Sequence, residues 1–176
     1  MKLPSTPLDD IRYNLMVCSK SPSYFAQNFI FSKPLSDDQI TWLESGQSLG
    51  LGSDRQTRRT STMLARALWS FVFKPEYKIL YLTPKLQLAQ SARQEFQHMY
   101  RQLPTWMSVP LHCDNRDQME NNCGSTISFK TAIQGQRMDL LLLDNTSIMS
   151  QVDYNELMCN VRSVINLSSG IMLKAK

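Results

Sequence analysis

The stretch MDLLLLD, residues 138–144, runs four leucines together and closes on a carboxylate. A short unbroken apolar run of this kind reads as a strand buried on both faces, as in the middle of a parallel sheet, with Asp144 at its carboxyl tip. Working outward, KILYLT over 78–83 is a second apolar strand, and helical spacing predicts helices over 60–73 and 86–102. The alternation over 125–131 predicts a strand, paired with residues near Leu111. Further strands are expected over 48–52 and 163–166, with a helix over 154–160. Strands alternating with helices in this order predict an α/β fold of three layers, a mainly parallel central sheet flanked by helices.

Upstream, SPSYFAQNFI over 21–30 places Tyr24, Phe25 and Phe29 at helical spacing behind a Ser-Pro start. Over 35–44, Ser36 can cap a helix, Asp37 and Asp38 suit its N-terminus, and Ile40 with Leu43 supply an apolar face. Residues 1–20, rich in Pro, Ser and Asp, read as an N-terminal arm, which leaves 21–176 as the core.

The 176 residues fit one domain, and a hydrophobic share of 42% with 19% charged residues excludes a disordered or fibrous chain. No apolar run reaches the ~20 residues of a membrane span, and the first ten residues lack the apolar stretch of a signal peptide. The chain is expected in the cytoplasm, without a membrane partner. The four cysteines form no CxxC pair and read as reduced thiols. His112, Cys113 and Cys123 lack the close ligand pairs of a zinc site. The net charge is +4, with Arg55, Arg58, Arg59 and Arg66 concentrated in one segment that can meet the phosphates of a nucleotide or of DNA, or form a solvated basic helix face.

The segment SDRQTRRT over 53–60 stands at a predicted strand-to-helix junction, where backbone N–H groups at a helix N-terminus can point at an anion. Against the phosphate-loop pattern GxxxxGK(S/T), only Thr60 matches outright; Ser53 and Arg58 replace the glycines and Arg59 replaces the lysine. Asp144, ending its apolar strand, holds the position at which such proteins keep the carboxylate that binds Mg²⁺. A strand-terminal Asp also serves as a plain helix cap.

With these residues in view, the chain resembles the ATPase domain of phage terminase large subunits over roughly residues 20 to 170. DRQTRRTS over 54–61 resembles the family loop SRQxGKT, keeping Arg55, Gln56 and Thr60. YFAQNFI over 24–30 and Gln39 look like the entry helix and the adenine-side glutamine. ILYLTPKLQLAQSARQEF over 79–96 is similar to the second strand and helix, and IQGQRMDLLLLDN over 133–145 to the segment that carries the catalytic acids. VINLSSG over 164–170 looks like the motif coupling hydrolysis to motion, with Ser168 and Ser169 in it. The resemblance implies nucleotide contacts at Gln39, Arg58, Arg59, Thr60 and Ser61, Mg²⁺ at Thr60 and Asp144, and catalytic positions at Arg55, Asp144 and Asn145. Terminase large subunits continue into a nuclease domain, which the expected core here does not include.

The departures set the expected activity. Arg58 brings a Cβ and a long cation where glycine lets the loop close around phosphate. Arg59 keeps the charge of lysine but presents a planar fork. Asn145 stands where the family has its glutamate and cannot take a proton from water. The expectation is a terminase-like pseudo-ATPase of phage origin that binds ATP and Mg²⁺ weakly or not at all and acts through a protein partner or DNA. Two alternatives stand beside it: a working DNA-packaging ATPase in which a carboxylate such as Asp153 or Glu156 replaces the missing glutamate, and an interaction module regulating a phage or host assembly.

Overall fold

The computed structural model describes residues 7–45, 59–132, 137–144 and 164–166. Helix α1 (Pro7–Lys20) is followed by a short α2 (Pro22–Phe25), which widens into a π-helical turn over Ala26–Ile30, and by α3 (Asp37–Ser45). Then come α4 (Arg59–Phe73), β1 (Lys78–Leu82), α5 (Leu86–Gln102), β2 (Leu111–Asp114), β3 (Gln118–Asn121), β4 (Thr126–Lys130), β5 (Leu140–Leu143) and β6 (Val164–Asn166).

The six described strands join one sheet in the order β2-β3-β4-β1-β5-β6. β1 lies parallel to β4 and to β5, and β5 parallel to β6. β3 runs antiparallel to both of its neighbours, β2 and β4, so the sheet expected to be mainly parallel is mixed. The reason is connection length: parallel neighbours need a crossover of a dozen or more residues, whereas β3 and β4 are joined by a turn. Gly124, at φ +77, sits in that turn, where its missing Cβ permits a conformation other residues avoid. The strand expected over 125–131 therefore pairs with β3, and Leu111 pairs one strand further out.

One face of the sheet carries Ile79, Tyr81, Ile127, Phe129, Leu140 and Leu142, which share a core with α4 and α5. Ring pairs bind the layers together: Phe71 on α4 meets Phe96 on α5 at 5.7 Å, Phe96 meets Phe129 on β4 at 5.8 Å, and Phe129 meets Tyr81 on β1 at 5.6 Å. Such pairs add about 0.5–1.5 kcal/mol each beyond the apolar area they bury. On the opposite face Leu80, Leu82, Leu141 and Leu143 are buried as well, so β1 and β5 are covered on both sides, as their unbroken apolar runs require. The strand expected over 48–52 and the helix over 154–160 lie outside the described residues.

The amino-terminal helices correct two expectations. Residues 7–20 are a helix rather than an arm, and α1 is tied to the core: the Trp69 indole donates to the Cys18 carbonyl at 2.7 Å, and the Tyr24 hydroxyl to Asn14 at 3.1 Å. Ile11, Leu15 and Cys18 lie at helical spacing, a pattern masked by the Pro- and Ser-rich start. On α3 the inward residues are Gln39, Trp42 and Leu43, while Ile40 is 39% exposed. Among the described residues no helix is long and apolar enough to cross a membrane.

Candidate functional site

The carboxyl edge of β1 and β5 meets the first turn of α4. α4 starts at Arg59, so its first free N–H groups and the positive end of its dipole face this edge. β5 ends at Leu143, and the Asp144 N–H donates to the Leu82 carbonyl at 3.0 Å, which holds Asp144 at the tip of β1. The Thr60 hydroxyl lies 3.5 Å from Asp144 Oδ2, at the outer limit of hydrogen bonding. Two residues 84 positions apart in sequence thus share one corner of the fold.

Three further residues converge there without having been anticipated. The Tyr81 hydroxyl donates to Asp144 Oδ2. The Ser61 hydroxyl donates to Glu95 on α5. Thr83, immediately after β1, is fully buried and its hydroxyl has no hydrogen-bond partner among the described residues. The register that pairs Leu82 with Leu143 brings Thr83 next to Asp144. Among the described residues neither Asp144 nor Glu95 has an ion-pair partner. Burial, joined by the Asp144 charge, its hydrogen bond and Glu95, pushes the Tyr81 phenol far above its ordinary range, so it remains a neutral donor.

Tyr81 was identifiable as the strand residue two positions before Thr83, on the face that meets the helices. Glu95 was identifiable as an acid beside the buried helix positions Ala92, Phe96 and Met99. Apolar periodicity alone passes over both.

The other expected site residues fare differently. Gln39 is buried and its amide is engaged: Oε1 accepts from the Ser36 N–H at 2.9 Å while the Ser36 hydroxyl accepts from the Gln39 N–H at 3.3 Å, a reciprocal capping box. Its Nε2 donates to Thr62 at 3.0 Å, joining α3 to the first turn of α4 one residue past Ser61. Arg66 leaves the basic cluster. Its guanidinium donates to the Leu43 carbonyl at 2.5 Å and lies 4.6 Å from the Trp69 ring centroid, so it fastens α3 to α4. Arg55, Arg58, Asn145, Asp153, Glu156, Ser168 and Ser169 lie outside the described residues.

Thr60 and Asp144 offer two hard oxygen donors within reach of one cation, and Thr83, next to Asp144 by strand register, has an unmatched hydroxyl among the described residues. This suits Mg²⁺, which keeps several waters and takes one or two protein ligands together with substrate phosphates. Among the described residues no group of three or more His, Cys, Asp or Glu side chains could cage a metal.

Fold and corner together define a class: an α/β domain in which a helix N-terminus and a strand-terminal carboxylate meet at the carboxyl edge of the sheet, a terminase-like fold. One solved structure it resembles is the crystal structure of the HK97 bacteriophage large terminase, with a TM-score of 0.64 over 84% of this chain and 13% sequence identity. The match covers 37% of that terminase, so the chain spans little more than a third of its length. No protein-family model and no curated protein matches the sequence.

Proposed function

We propose that this chain is a terminase-like P-loop protein of phage origin that binds nucleotide weakly and works through contacts with a protein partner or DNA, rather than through efficient ATP hydrolysis. The single observation carrying this reading is the approach of Thr60 to Asp144 at the tip of the sheet, in a fold like that of a large terminase. In the proposed site Thr60 and Asp144 would hold Mg²⁺, and the first turn of α4 with Arg58, Arg59 and Ser61 would face the phosphates. Magnesium would screen the phosphate charge there.

Weakness follows from substitution. Arg58 stands where the phosphate-loop pattern has a glycine, Arg59 presents a fork instead of a compact ammonium, and Asn145 cannot serve as a base. Loss of a general base removes about 10²–10⁴ in rate.

Calorimetry of Mg²⁺–ATP against the chain and against Arg59→Ala tests the proposal. Weak heats in the parent, reduced about tenfold or more in affinity by the substitution, are expected from loss of a charged phosphate contact. Equal binding in both proteins would remove the phosphate role of this turn.

A second reading, slow hydrolysis, is favoured by Glu95, a carboxylate held by Ser61 at the same corner. It requires turnover in the presence of DNA that both Asp144→Ala and Glu95→Gln abolish. The proposed pseudo-ATPase shows turnover far below the roughly 1–100 per second of working kinases.

A further inference from the structure

Asp144 Oδ2 is contacted from two sides. Thr60 approaches at 3.5 Å from the helix, while the Tyr81 hydroxyl donates to the same oxygen from the strand beneath. Tyr81 is 1% exposed, and its ring packs on Phe129, which in turn packs on Phe96. The phenol is therefore fixed in place, with its O–H directed at the carboxylate.

A carboxylate oxygen that accepts a strong O–H donor has one lone pair fewer and less electron density to offer a cation. A neutral phenol is also a poor substitute for the water or carboxylate ligands that Mg²⁺ prefers. We propose that Tyr81 is a built-in competitor for the divalent cation at Asp144, so that metal enters only when the Tyr81–Asp144 hydrogen bond opens. This deepens the function proposed above and rests on its assignment of Thr60 and Asp144 as the metal position. Thr60 and Tyr81, two hydroxyls on one oxygen, then have opposite effects: the first assists the cation and the second excludes it.

That opposition supplies the test. Mn²⁺, titrated without nucleotide and followed by electron paramagnetic resonance, serves as the probe on the whole chain. Tyr81→Phe keeps the ring packed on Phe129 and removes only the hydroxyl, and Tyr81→Met is a second hydroxyl-free variant. Both should tighten Mn²⁺ binding about tenfold, the scale set by one hydrogen bond to a charged group. Thr60→Ala should weaken it, and Asp144→Asn should abolish it in the parent and in Tyr81→Phe alike. A general loosening of the corner would move the Tyr81 and Thr60 variants in the same direction.

Unchanged or weaker binding in both Tyr81 variants, or no Mn²⁺ binding in any protein, overturns the competition. If those variants match the parent while Asp144→Asn still abolishes binding, the competitor role fails and the Thr60–Asp144 metal position stands. Binding that survives Asp144→Asn overturns the metal position and the competitor role together.

Discussion

The two ends of the central strands use buried polar groups in opposite ways. At the amino end, the β3–β4 turn is stitched to the end of α4. Asn121, 1% exposed, donates from Nδ2 to the Phe71 carbonyl at 2.6 Å, and its Oδ1 accepts from the Cys123 and Ser125 N–H groups at 3.0 Å each. The Ser125 hydroxyl donates to the Lys74 carbonyl. Both side chains there are spent on backbone. At the carboxyl end, Thr83 is buried with no partner, Asp144 and Glu95 have only hydroxyl partners, and no cation balances them among the described residues. Polar groups without full partners cost stability, and the lack of a partner alone, which Ser70 on α4 also shows, does not mark a ligand place; the convergence of Thr83 with two carboxylates at one corner does.

The sharpest way to break this contrast is to remove one polar side chain from each end. Asn121→Ala strands the Phe71 carbonyl and two turn N–H groups, and is expected to cost about 2–4 kcal/mol in urea unfolding, with the slope unchanged. Asp144→Asn retains the shape and an acceptor oxygen while removing an uncompensated charge, so its stability should stay within about 1 kcal/mol of the parent. Equal losses at the two sites would make the carboxyl-end cluster structural and leave the metal reading without support. The metal and nucleotide titrations at Tyr81 and Arg59 come next in size, each a change of about tenfold.

The sequence reveals the covered half of the sheet and conceals the open half, for physical reasons. β1 and β5 are apolar on both faces, so they show as unbroken runs, and α5 shows its period over Leu86–Gln102 with the expected bounds. β3 reads QMEN: its inward positions are Met119 and Asn121, and a buried asparagine is invisible to hydrophobic patterning. The same blindness hides Gln39, whose burial depends on the capping box and on Thr62, and Tyr81, which looks like one more apolar strand residue. Thr60 and Asp144 could be paired in advance because a chemical rule links helix start to strand tip. Glu95 and Thr83 obey no such rule, and their proximity to the corner arises from helix packing and strand register. Arg66 shows the converse error: a run of arginines reads as one patch, yet two turns of helix carry Arg66 round to the Leu43 carbonyl.

A smaller effect sharpens the comparison at a third carboxylate. Glu44, at the end of α3, accepts from the Ser21 hydroxyl at 2.6 Å and from the N–H and hydroxyl of Ser23 at 3.0 and 2.5 Å. Burial pushes its carboxyl upward, but the Ser21 and Ser23 donors, with Arg66 behind them, outweigh burial and bring it below its ordinary value. A carboxyl lowered on folding contributes stability that is present above its unfolded value, about 4.3, and is lost as pH falls through the folded one. Acidification below about pH 4 should therefore loosen the α2–α3 junction. Glu44→Gln, which accepts without charge, should melt below the parent at pH 6 and converge with it toward pH 3. Because Glu44 is exposed, screening keeps the difference small, and added salt should shrink it further. Unlike Asp144, Glu44 already has the donors it needs within the chain, so Mn²⁺ should leave the melting gap between parent and Glu44→Gln unchanged at every pH; a gap that widened with the metal would place a cation at this carboxylate and erase the distinction between the two.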